Sequence, residues 1–285
     1  MAVTRHSISR GVLPLLALAA ALLQGSVAWG SCIDLEGRLT QGGMVWGNVA
    51  PGSEVTLDNA PLDVLADGTL LAGFGRDAAA TSELVVSAQS GKCVQMLQIA
   101  RRDYNIQRVE GVPQETVTPP PEQLERIRRE RELVRVAKAQ ALQRPDLLQG
   151  ALAGFAWPAV GPISGVYGSQ RVYNGKPGSP HYGVDVAMPT GTAVLAPTAG
   201  VVTLAEPDLF YSGGTIILDH GYRLSSSFLH LSKVLVEVGQ EVKTGDVIGE
   251  IGASGRATGP HLDWRMSWRA ERIDPQLLVP PMPKP

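Results

Sequence analysis

The stretch Ala193-Val-Leu-Ala-Pro-Thr-Ala-Gly-Val-Val-Thr-Leu204 sets two short apolar runs on either side of a turn that contains proline and glycine. Short runs of this kind, bounded by turn residues, are typical of β-strands. Similar runs recur downstream, as in Thr215-Ile-Ile-Leu-Asp219 and Val247-Ile-Gly249. Little room is left between these runs for a helix. The part of the chain from residue 154 onward is therefore predicted to form an antiparallel β-sheet domain.

The same domain holds four of the chain's five histidines. His181 precedes Asp185 by four residues, and His261 precedes Asp263 by two. Residues two apart on a strand project from the same face, so the side chains of His261 and Asp263 can reach the same point in space. Imidazole and carboxylate are the usual ligands of catalytic zinc, which keeps one position open for water. His230 could face the same side, and if these groups converge, the cluster predicts a metallohydrolase.

A different role is expected for His220, which lies in the sequence Leu-Asp-His-Gly. This sequence is typical of the end of a strand, where an aspartate and a glycine form a turn. A histidine in such a place needs no metal. We therefore interpret His220 as a structural residue.

Residues from about 155 to 275 resemble the lysostaphin-type zinc metallopeptidases, the LytM-like peptidoglycan endopeptidases. The resemblance covers ligands, turns and strand order together. Upstream segments are similar to the Gram-negative branch of this family, namely Gly154-Phe-x-Trp-Pro158, Tyr167-Gly-x-x-Arg171 and Arg102-x-Tyr-x-Ile106. The matching motifs of the domain are His181-x-x-x-Asp185, Ala196-Pro-x-x-Gly-x-Val202, Asp219-His-Gly221, His230-Leu-Ser232, Val238-Gly-x-x-Val-x-x-Gly-x-x-Ile-Gly249 and Thr258-Gly-Pro-His-Leu262.

The resemblance implies roles for the candidate residues. His181 and Asp185 match two zinc ligands. His230 and His261 match the pair that orients or deprotonates the attacking water and stabilises the oxyanion. The third ligand of the family is usually the second histidine of a His-x-His motif, and this chain has Asp263 there. The predicted metal ligands are therefore His181, Asp185 and Asp263, and the predicted cofactor is a single Zn²⁺ ion.

The exchange of histidine for Asp263 changes the charge of the site. Aspartate is a competent zinc ligand. Two carboxylates make the site with Zn²⁺ formally neutral, whereas one carboxylate leaves it positive, and a more neutral metal polarises water less. Three outcomes stay open: an active enzyme with an unusual ligand set, a slow enzyme, or a non-catalytic domain.

Two functions follow from the resemblance. The first is a zinc-dependent endopeptidase that hydrolyses peptide cross-links of peptidoglycan in the periplasm or outside the cell. The alternative is a non-catalytic LytM-like regulator that activates another cell-wall hydrolase. Amidase activators of the family have lost several site residues at once, whereas this chain keeps four of the five positions, which favours catalysis. A binding module with a vestigial site is a third possibility, and Trp264 and Trp268 fit it weakly.

The N-terminal region indicates export. Residues 1–28 have positive charge at Arg5 and Arg10, then an apolar run and small residues, which is the pattern of a secretory signal peptide. After cleavage, no stable membrane span is expected. The chain has two cysteines, Cys32 and Cys93, and an oxidising compartment favours a disulfide between them.

The rest of the chain divides by composition. Residues 32–110 have short apolar runs between turn residues and are predicted to form a β-sandwich-like domain. Residues 111–150 are predicted to be a proline-rich linker and a helix, which acts either as a spacer or as an element over the active site. Residues 154–276 are the expected peptidase domain, and residues 277–285 are expected to be disordered. The predicted architecture is thus mainly β.

The charge balance bears on the partner. The formal net charge is −2 with neutral histidines. A chain without an excess of positive charge is not suited to nucleic acid. The family resemblance implies peptidoglycan as the partner, with a second cell-wall hydrolase as a further possible one.

Overall fold

The structure is a computed structural model that describes residues 1–2, 31–109 and 121–283. It is mainly β, with two α-helices among the described residues, and it confirms the predicted fold class. No helix in the described part of the chain has both the length and the apolarity needed to span a membrane. The predicted signal peptide falls almost wholly on residues 3–30, and part of the proline-rich linker falls on residues 110–120, so both lie outside the described residues.

The N-terminal region contains two antiparallel sheets. The first has the order β1-β2-β5 and the second β4-β3-β6-β7, and their inner faces share one core. Strand β8 leaves this region and pairs in parallel with a strand of the C-terminal region. The strands are β1 (Leu35–Gly37), β2 (Met44–Asn48), β3 (Glu54–Leu57), β4 (Ala60–Pro61), β5 (Thr69–Gly73), β6 (Thr81–Ala88), β7 (Gly91–Gln98) and β8 (Ile106–Val109).

The C-terminal region is built on a ten-stranded antiparallel sheet. Its strands are β9 (Ile163–Gly165), β12 (Val184–Val186), β13 (Ala193–Leu195), β14 (Gly200–Leu209), β15 (Gly213–Asp219), β16 (Leu224–Val234), β17 (Glu241–Val242), β18 (Val247–Ile251), β19 (Leu262–Trp268) and β20 (Glu271–Ile273). The main order is β17-β14-β15-β16-β19-β12-β9, with β20 beside β19 and β18 bridging β13 and β16. A hairpin of β10 (Gln170–Tyr173) and β11 (Lys176–Pro177) joins β8. The sequence predicted strands within β13, β14, β15 and β18, and they are present.

Two helices connect the regions. Helix α1 (Leu124–Ala139) lies within the predicted helical segment and ends before Pro145. Helix α2 (Pro145–Ala153) was not predicted, although it begins with proline, which is favoured in the first helical turn. Its buried residues, among them Leu148, pack into the main core.

The sheets of the two regions pack against each other, and the described residues from 31 onward belong to one compact unit. Strand β5 contacts β19 and β20. A Cβ atom at Gly73 would lie 2.7 Å from the Ile273 side chain and 3.2 Å from Trp268, so the absence of a side chain there lets the sheets approach. Arg102 donates to the buried carboxylate of Asp274 at 2.8 Å across the same contact. The domain boundaries given above remain a prediction.

The predictions of a disulfide in the N-terminal region and of disorder in the C-terminal segment have different outcomes. Cys32 and Cys93 form the predicted disulfide, with Cα atoms 5.7 Å apart. The C-terminal segment does not fit the expectation of disorder as far as residue 283. Trp157 Nε1 donates to the Pro280 carbonyl at 2.8 Å, and Met282 packs on the core. Apolar side chains in this segment explain the difference, because they gain by burial.

Candidate metal centre and active site

Strands β12 and β19 bring the predicted metal ligands together. The two strands pair antiparallel, and their register sets Asp185 directly opposite Asp263, so both side chains project from the same face. His181 lies just before β12. Its Nε2 atom is 3.0 Å from Oδ1 of Asp185 and 3.5 Å from Oδ2 of Asp263. One ligand atom from each of the three residues falls within 4.8 Å of the others.

The donor set fits a metal ion. Nε2 of His181 and Oδ1 of Asp185 are buried and, within the described residues, make no hydrogen bond of acceptable geometry. Buried polar atoms without partners are rare in folded proteins and call for a ligand or an ion. One imidazole nitrogen and two carboxylates are ligand types that zinc accepts. Close packing supports the arrangement, since a Cβ atom at Gly165 or Gly183 would overlap the carboxylate of Asp185 or Asp263, respectively.

The electrostatics of this cluster favour a cation. Burial lowers the pKa of His181, but the neighbouring carboxylates of Asp185 and Asp263 more than offset burial and raise it to about 10. The potential that holds a proton on the imidazole at this pKa would also stabilise a metal cation in its place. The Nδ1 atom of His181 lies 3.2 Å from the Val166 carbonyl, which accepts from it and orients the ring.

An irregularity in strand β16 turns the His230 side chain toward the metal ligands. His230 has φ of +65°, an unusual value for a residue with a side chain. The register of β16 shifts against β15 between Phe228 and Leu231, and against β18 between Leu231 and Lys233. Leu229 stands opposite Asp263 in the ladder, so regular alternation would turn His230 to the other face. The local left-handed conformation redirects the ring, as β-bulges do beside active sites.

His230 and His261 form a pair with matched tautomers. Their rings lie 4.8 Å apart between centroids. Nδ1 of His230 donates to the Ser254 carbonyl at 2.8 Å, and Nδ1 of His261 donates to the Gly259 carbonyl at 2.8 Å. With Nδ1 protonated, each Nε2 carries the lone pair. Nε2 of His261 is 3.9 Å from Oδ1 of Asp185, so this lone pair faces the metal ligands.

Burial lowers the pKa of His230. The ring is therefore neutral at the pH where most enzymes work, which is the state that a general base requires. The structure thus brings all five predicted site residues, His181, Asp185, His230, His261 and Asp263, into one cluster. The roles assigned to them remain predictions.

Arg265 is a site residue that the sequence reasoning missed. Its Nε donates to both carboxylate oxygens of Asp263 at 3.0 Å, and its terminal nitrogen donates to Oδ2 at 2.5 Å. Burial raises the pKa of Asp263, but the charge of Arg265 and the contact with His181 outweigh burial and hold this pKa well below its usual range. The signal was present, because Asp263 and Arg265 share one face of a strand at spacing i, i+2.

Ser254 was also missed, and it shapes the site through backbone contacts. Its hydroxyl donates to the Leu231 carbonyl at 2.7 Å and accepts from the Gly214 amide at 2.9 Å, while its carbonyl holds His230. These bonds satisfy the strand atoms that the bulge leaves unpaired. A lone serine in a glycine-rich loop gives no sequence signal for this role.

His220 is structural, in line with its interpretation from sequence. It is fully buried, with Nδ1 2.8 Å from the Ala199 carbonyl and Nε2 2.8 Å from the Ser226 hydroxyl. Both ring nitrogens are satisfied within the core, and burial lowers the pKa to about 4. The residue has no free nitrogen for a metal.

A groove of about 2040 Å³ runs over these residues. Its floor includes Asp185, Asp263 and Arg265, helix α1 lines one part of it, and the β10–β11 hairpin lines another. The groove is open to solvent, and its lining includes the metal ligands together with His230 and His261. Helix α1 contributes to the wall and leaves space over the metal ligands.

Comparison with known proteins agrees with this geometry. Residues 179–275 match the family model described as peptidase family M23. The peptidoglycan DD-endopeptidase ShyA of Vibrio cholerae is 41% identical over 96 residues, which cover 34% of this chain and 22% of ShyA. A lipoprotein NlpD/LppB homolog of Pseudomonas aeruginosa is 32% identical over 136 residues, which cover 48% of this chain and 43% of that protein.

The similarity to a solved structure extends further along the chain. A candidate peptidase M23 from Pseudomonas aeruginosa aligns with a TM-score of 0.63 and 28% identity, over 84% of this chain and 94% of that one. The chain spans less than half the length of the two curated relatives above. The alignments, the convergent histidines and carboxylates and the antiparallel sheet lead to one conclusion: the chain contains a peptidase family M23 domain of the LytM type.

Proposed function

We propose that this chain is a zinc-dependent endopeptidase that hydrolyses peptide cross-links of peptidoglycan. The observation that supports the proposal most is the convergence of His181, Asp185 and Asp263 with the pair of histidines in a domain of the M23 family. A relative with 41% identity over the domain is named a peptidoglycan DD-endopeptidase. No comparable set of converging side chains in the described residues supports one of the alternative functions.

In the proposed mechanism, His181, Asp185 and Asp263 would hold zinc, which would supply Lewis acidity toward a water molecule and a peptide carbonyl. Nε2 of His261 faces these ligands and accepts the proton of the attacking water. His230, fixed by the Ser254 carbonyl, stands beside it and donates a hydrogen bond to the oxyanion once it has gained a proton. The exchange of roles between the two histidines is equally compatible with their 4.8 Å separation.

The compartment follows from the same proposal. Peptidoglycan lies outside the cytoplasm, so the chain would act in the periplasm or after secretion. The disulfide between Cys32 and Cys93 supports an oxidising compartment. The pattern of a signal peptide in residues 1–28 supports the same location.

A second candidate function is a non-catalytic regulator of another cell-wall hydrolase. The observation that favours it is the pairing of Asp263 with Arg265, because the guanidinium occupies lone pairs that a metal would use. A regulator would bind its partner without cutting peptidoglycan. The two candidates therefore differ in one observable, the release of cleaved peptides by the purified chain alone.

The direct test is digestion of purified cross-linked sacculi by the zinc-loaded protein, with the products separated by chromatography and identified by mass. The endopeptidase proposal expects cross-linked dimers to decrease and monomers to increase, and it expects His261→Ala to abolish the change. Glu132→Ala, on the exposed side of helix α1, serves as the matched control and should digest normally. Unchanged dimers with zinc-loaded protein, combined with faster digestion when a second hydrolase is added, would support the regulator instead.

A further inference from the structure

Helix α1 is docked on the face of the sheet that carries the site. Ala137 is buried against Leu204 and Ile217. Ile217 stands opposite Ser227 in the β15–β16 ladder, and Ser227 stands opposite Arg265 in the β16–β19 ladder. Residues directly opposite in antiparallel strands project from the same face. The helix therefore lies on the same side of the sheet as the metal ligands.

Polar contacts fix the helix in this position. The Glu130 carboxylate accepts from the Phe210 amide at 2.8 Å and from Arg126 at 2.6 Å. At the C-terminal end of the helix, Lys138 Nζ donates to the Ser267 hydroxyl at 3.2 Å. Helix α1 thus delivers an ammonium group to strand β19, four residues beyond Asp263.

Three positively charged side chains meet around Ser267. Arg265 precedes Ser267 by two residues on the same face of β19, and Arg272 stands opposite Ser267 in the β19–β20 ladder. Lys138 reaches Ser267 from above the sheet. All three side chains line the groove that contains the metal ligands.

Two of these cations have no counterion among the described residues. Arg265 is engaged by Asp263. Within the described residues, neither Lys138 nor Arg272 forms an ion pair with a carboxylate. Burial and the neighbouring Arg272 and Arg265 lower the pKa of Lys138, and burial and Arg265 lower that of Arg272. Half-buried like charges repel each other, and an anion between them would relieve this cost.

The floor of the same part of the groove holds an unpaired hydrogen-bonding group. Ser227 is 3% exposed and lines the groove, and its hydroxyl has no hydrogen-bond partner in the part of the chain that the structure describes. Its position opposite Arg265 sets the hydroxyl beside the cationic cluster. A buried hydroxyl next to two unpaired cations is an arrangement that an anionic oxygen would complete.

We propose that Lys138 and Arg272, together with Ser227, form a subsite for a carboxylate of the peptide substrate, next to the metal ligands. The inference rests on the proposed function, because it takes the occupant of the groove to be a peptide of peptidoglycan. It assigns helix α1 a part in substrate binding. A carboxylate matches the cluster in charge, and both cations can donate charge-assisted hydrogen bonds to it.

The test measures binding without turnover. The zinc-loaded His261→Ala protein is titrated by calorimetry with a cross-linked peptidoglycan peptide dimer whose terminal carboxylates are free, and with the same dimer amidated at these positions. The free dimer should bind roughly tenfold more tightly, as expected for charged hydrogen bonds. Adding Lys138→Met or Arg272→Met should remove most of this difference. Arg129→Met, on an exposed position of helix α1 outside the groove, should leave it unchanged.

The outcomes separate the subsite from the proposed function. Equal affinity of the parent protein for the free and the amidated dimer would overturn the subsite alone. Absence of binding by either dimer would overturn the proposed substrate together with the subsite. Thermal unfolding of each variant shows whether it is folded, and Arg272→Gln is a second variant for the case in which Arg272→Met does not fold.

Discussion

The carboxylate of Asp263 is 3% exposed as a side chain and has two neighbours that carry positive charge, His181 and Arg265. With zinc bound to two carboxylates, the three charges would cancel formally. The guanidinium of Arg265 adds one positive charge directly behind the ligand, so the region regains the net charge of a site with a single carboxylate. The pair thus offsets the weaker polarisation that the exchange of histidine for aspartate predicts.

Removing Arg265 should destabilise the protein in a way that zinc can reverse. In the metal-free Arg265→Met variant, the buried Asp263 carboxylate loses its main partner, and we expect a loss of roughly 2–4 kcal/mol in the free energy of unfolding. Zinc would give the carboxylate a new counterion, so it should raise the melting temperature more in the variant than in the wild type. Thermal unfolding in chelator and in excess zinc measures both.

Arg265→Lys is the matched control, since it keeps the charge and loses the paired geometry. It should fall between the wild type and Arg265→Met in chelator. An Arg265→Met variant as stable as the wild type without metal would show that the pair does not hold Asp263. An equal loss with and without zinc would show that zinc does not reach this carboxylate.

His220 should make stability sensitive to acid. Burial lowers its pKa from 6.5 to about 4, so the folded state excludes a proton that the unfolded state binds between these values. The stabilising contribution is present above pH 6.5 and is lost as the pH falls toward 4. Buried Asp219 has the opposite sign, because burial raises its pKa to about 6 and its cost is relieved as the pH falls.

Comparison with a His220→Gln variant removes the contribution of Asp219, which is common to both proteins. Between pH 7 and pH 5, the wild type should lose about 2 kcal/mol more than the variant. Chemical denaturation at several pH values is the measurement. Parallel pH profiles for the two proteins would refute the assignment of the acid sensitivity to His220.

The sequence could predict site residues that short spacings or family motifs mark. His181 with Asp185 and His261 with Asp263 are of this kind, and the register of β12 and β19 joins the two pairs. The sequence did not predict the direction in which the His230 side chain points. This direction depends on a left-handed backbone conformation at His230 within a strand, and the residue type does not reveal such a conformation.

At the scale of elements, helix α1 is the clearest case in which the structure decides between open alternatives. Its apolar pattern predicted a helix but did not say which surface it covers. Ile127 and Ala137 are buried, whereas Leu124 and Leu133 are exposed. The contacts of the helix with β14 and β15 join residues that lie about 70 to 80 positions apart along the chain, as Glu130 and Phe210 do. A single sequence does not reveal contacts between such distant residues.

Glu130 and Glu132 provide a matched test of this docking. Glu130→Ala leaves the Phe210 amide without its acceptor and removes one of the acceptors of Arg126, and we expect a loss of about 1–3 kcal/mol in stability. Glu132→Ala breaks only an exposed pair with Arg135, and no measurable change is expected. Chemical denaturation gives the stability, and hydrogen exchange over residues 124–139 shows whether the helix opens. Equal effects of the two variants would contradict the docked position.

At the scale of the whole molecule, the N-terminal sheets and the peptidase sheet share a core. Ion pairs cross the contact between them, Arg102 with Asp274 and Arg269 with Asp63. The sequence indicated two β-rich regions from their turn residues. It did not indicate their contact, because this depends on close approach at Gly73 and on a buried carboxylate far along the chain.

The disulfide should stabilise the N-terminal region strongly. Cys32 and Cys93 are 61 residues apart in sequence, and cross-linking a loop of this length lowers the entropy of the unfolded chain by an amount worth about 4 kcal/mol. A Cys32→Ser, Cys93→Ser double variant should lose most of this in chemical denaturation, and reductant should reproduce the loss in the wild type. A wild type that is unaffected by reductant under conditions that break the bond would contradict this prediction.

The central claim is that His181, Asp185 and Asp263 bind one metal ion. The most direct measurement is the zinc content of the purified protein after dialysis with zinc, determined by elemental analysis with Asp263→Asn, His181→Ala and His230→Ala variants in parallel. We predict about one zinc ion per chain in the wild type and in His230→Ala, and a loss of most of it in the other two variants. A folded wild type that retains no zinc, or an Asp263→Asn variant that retains as much as the wild type, would contradict the claim.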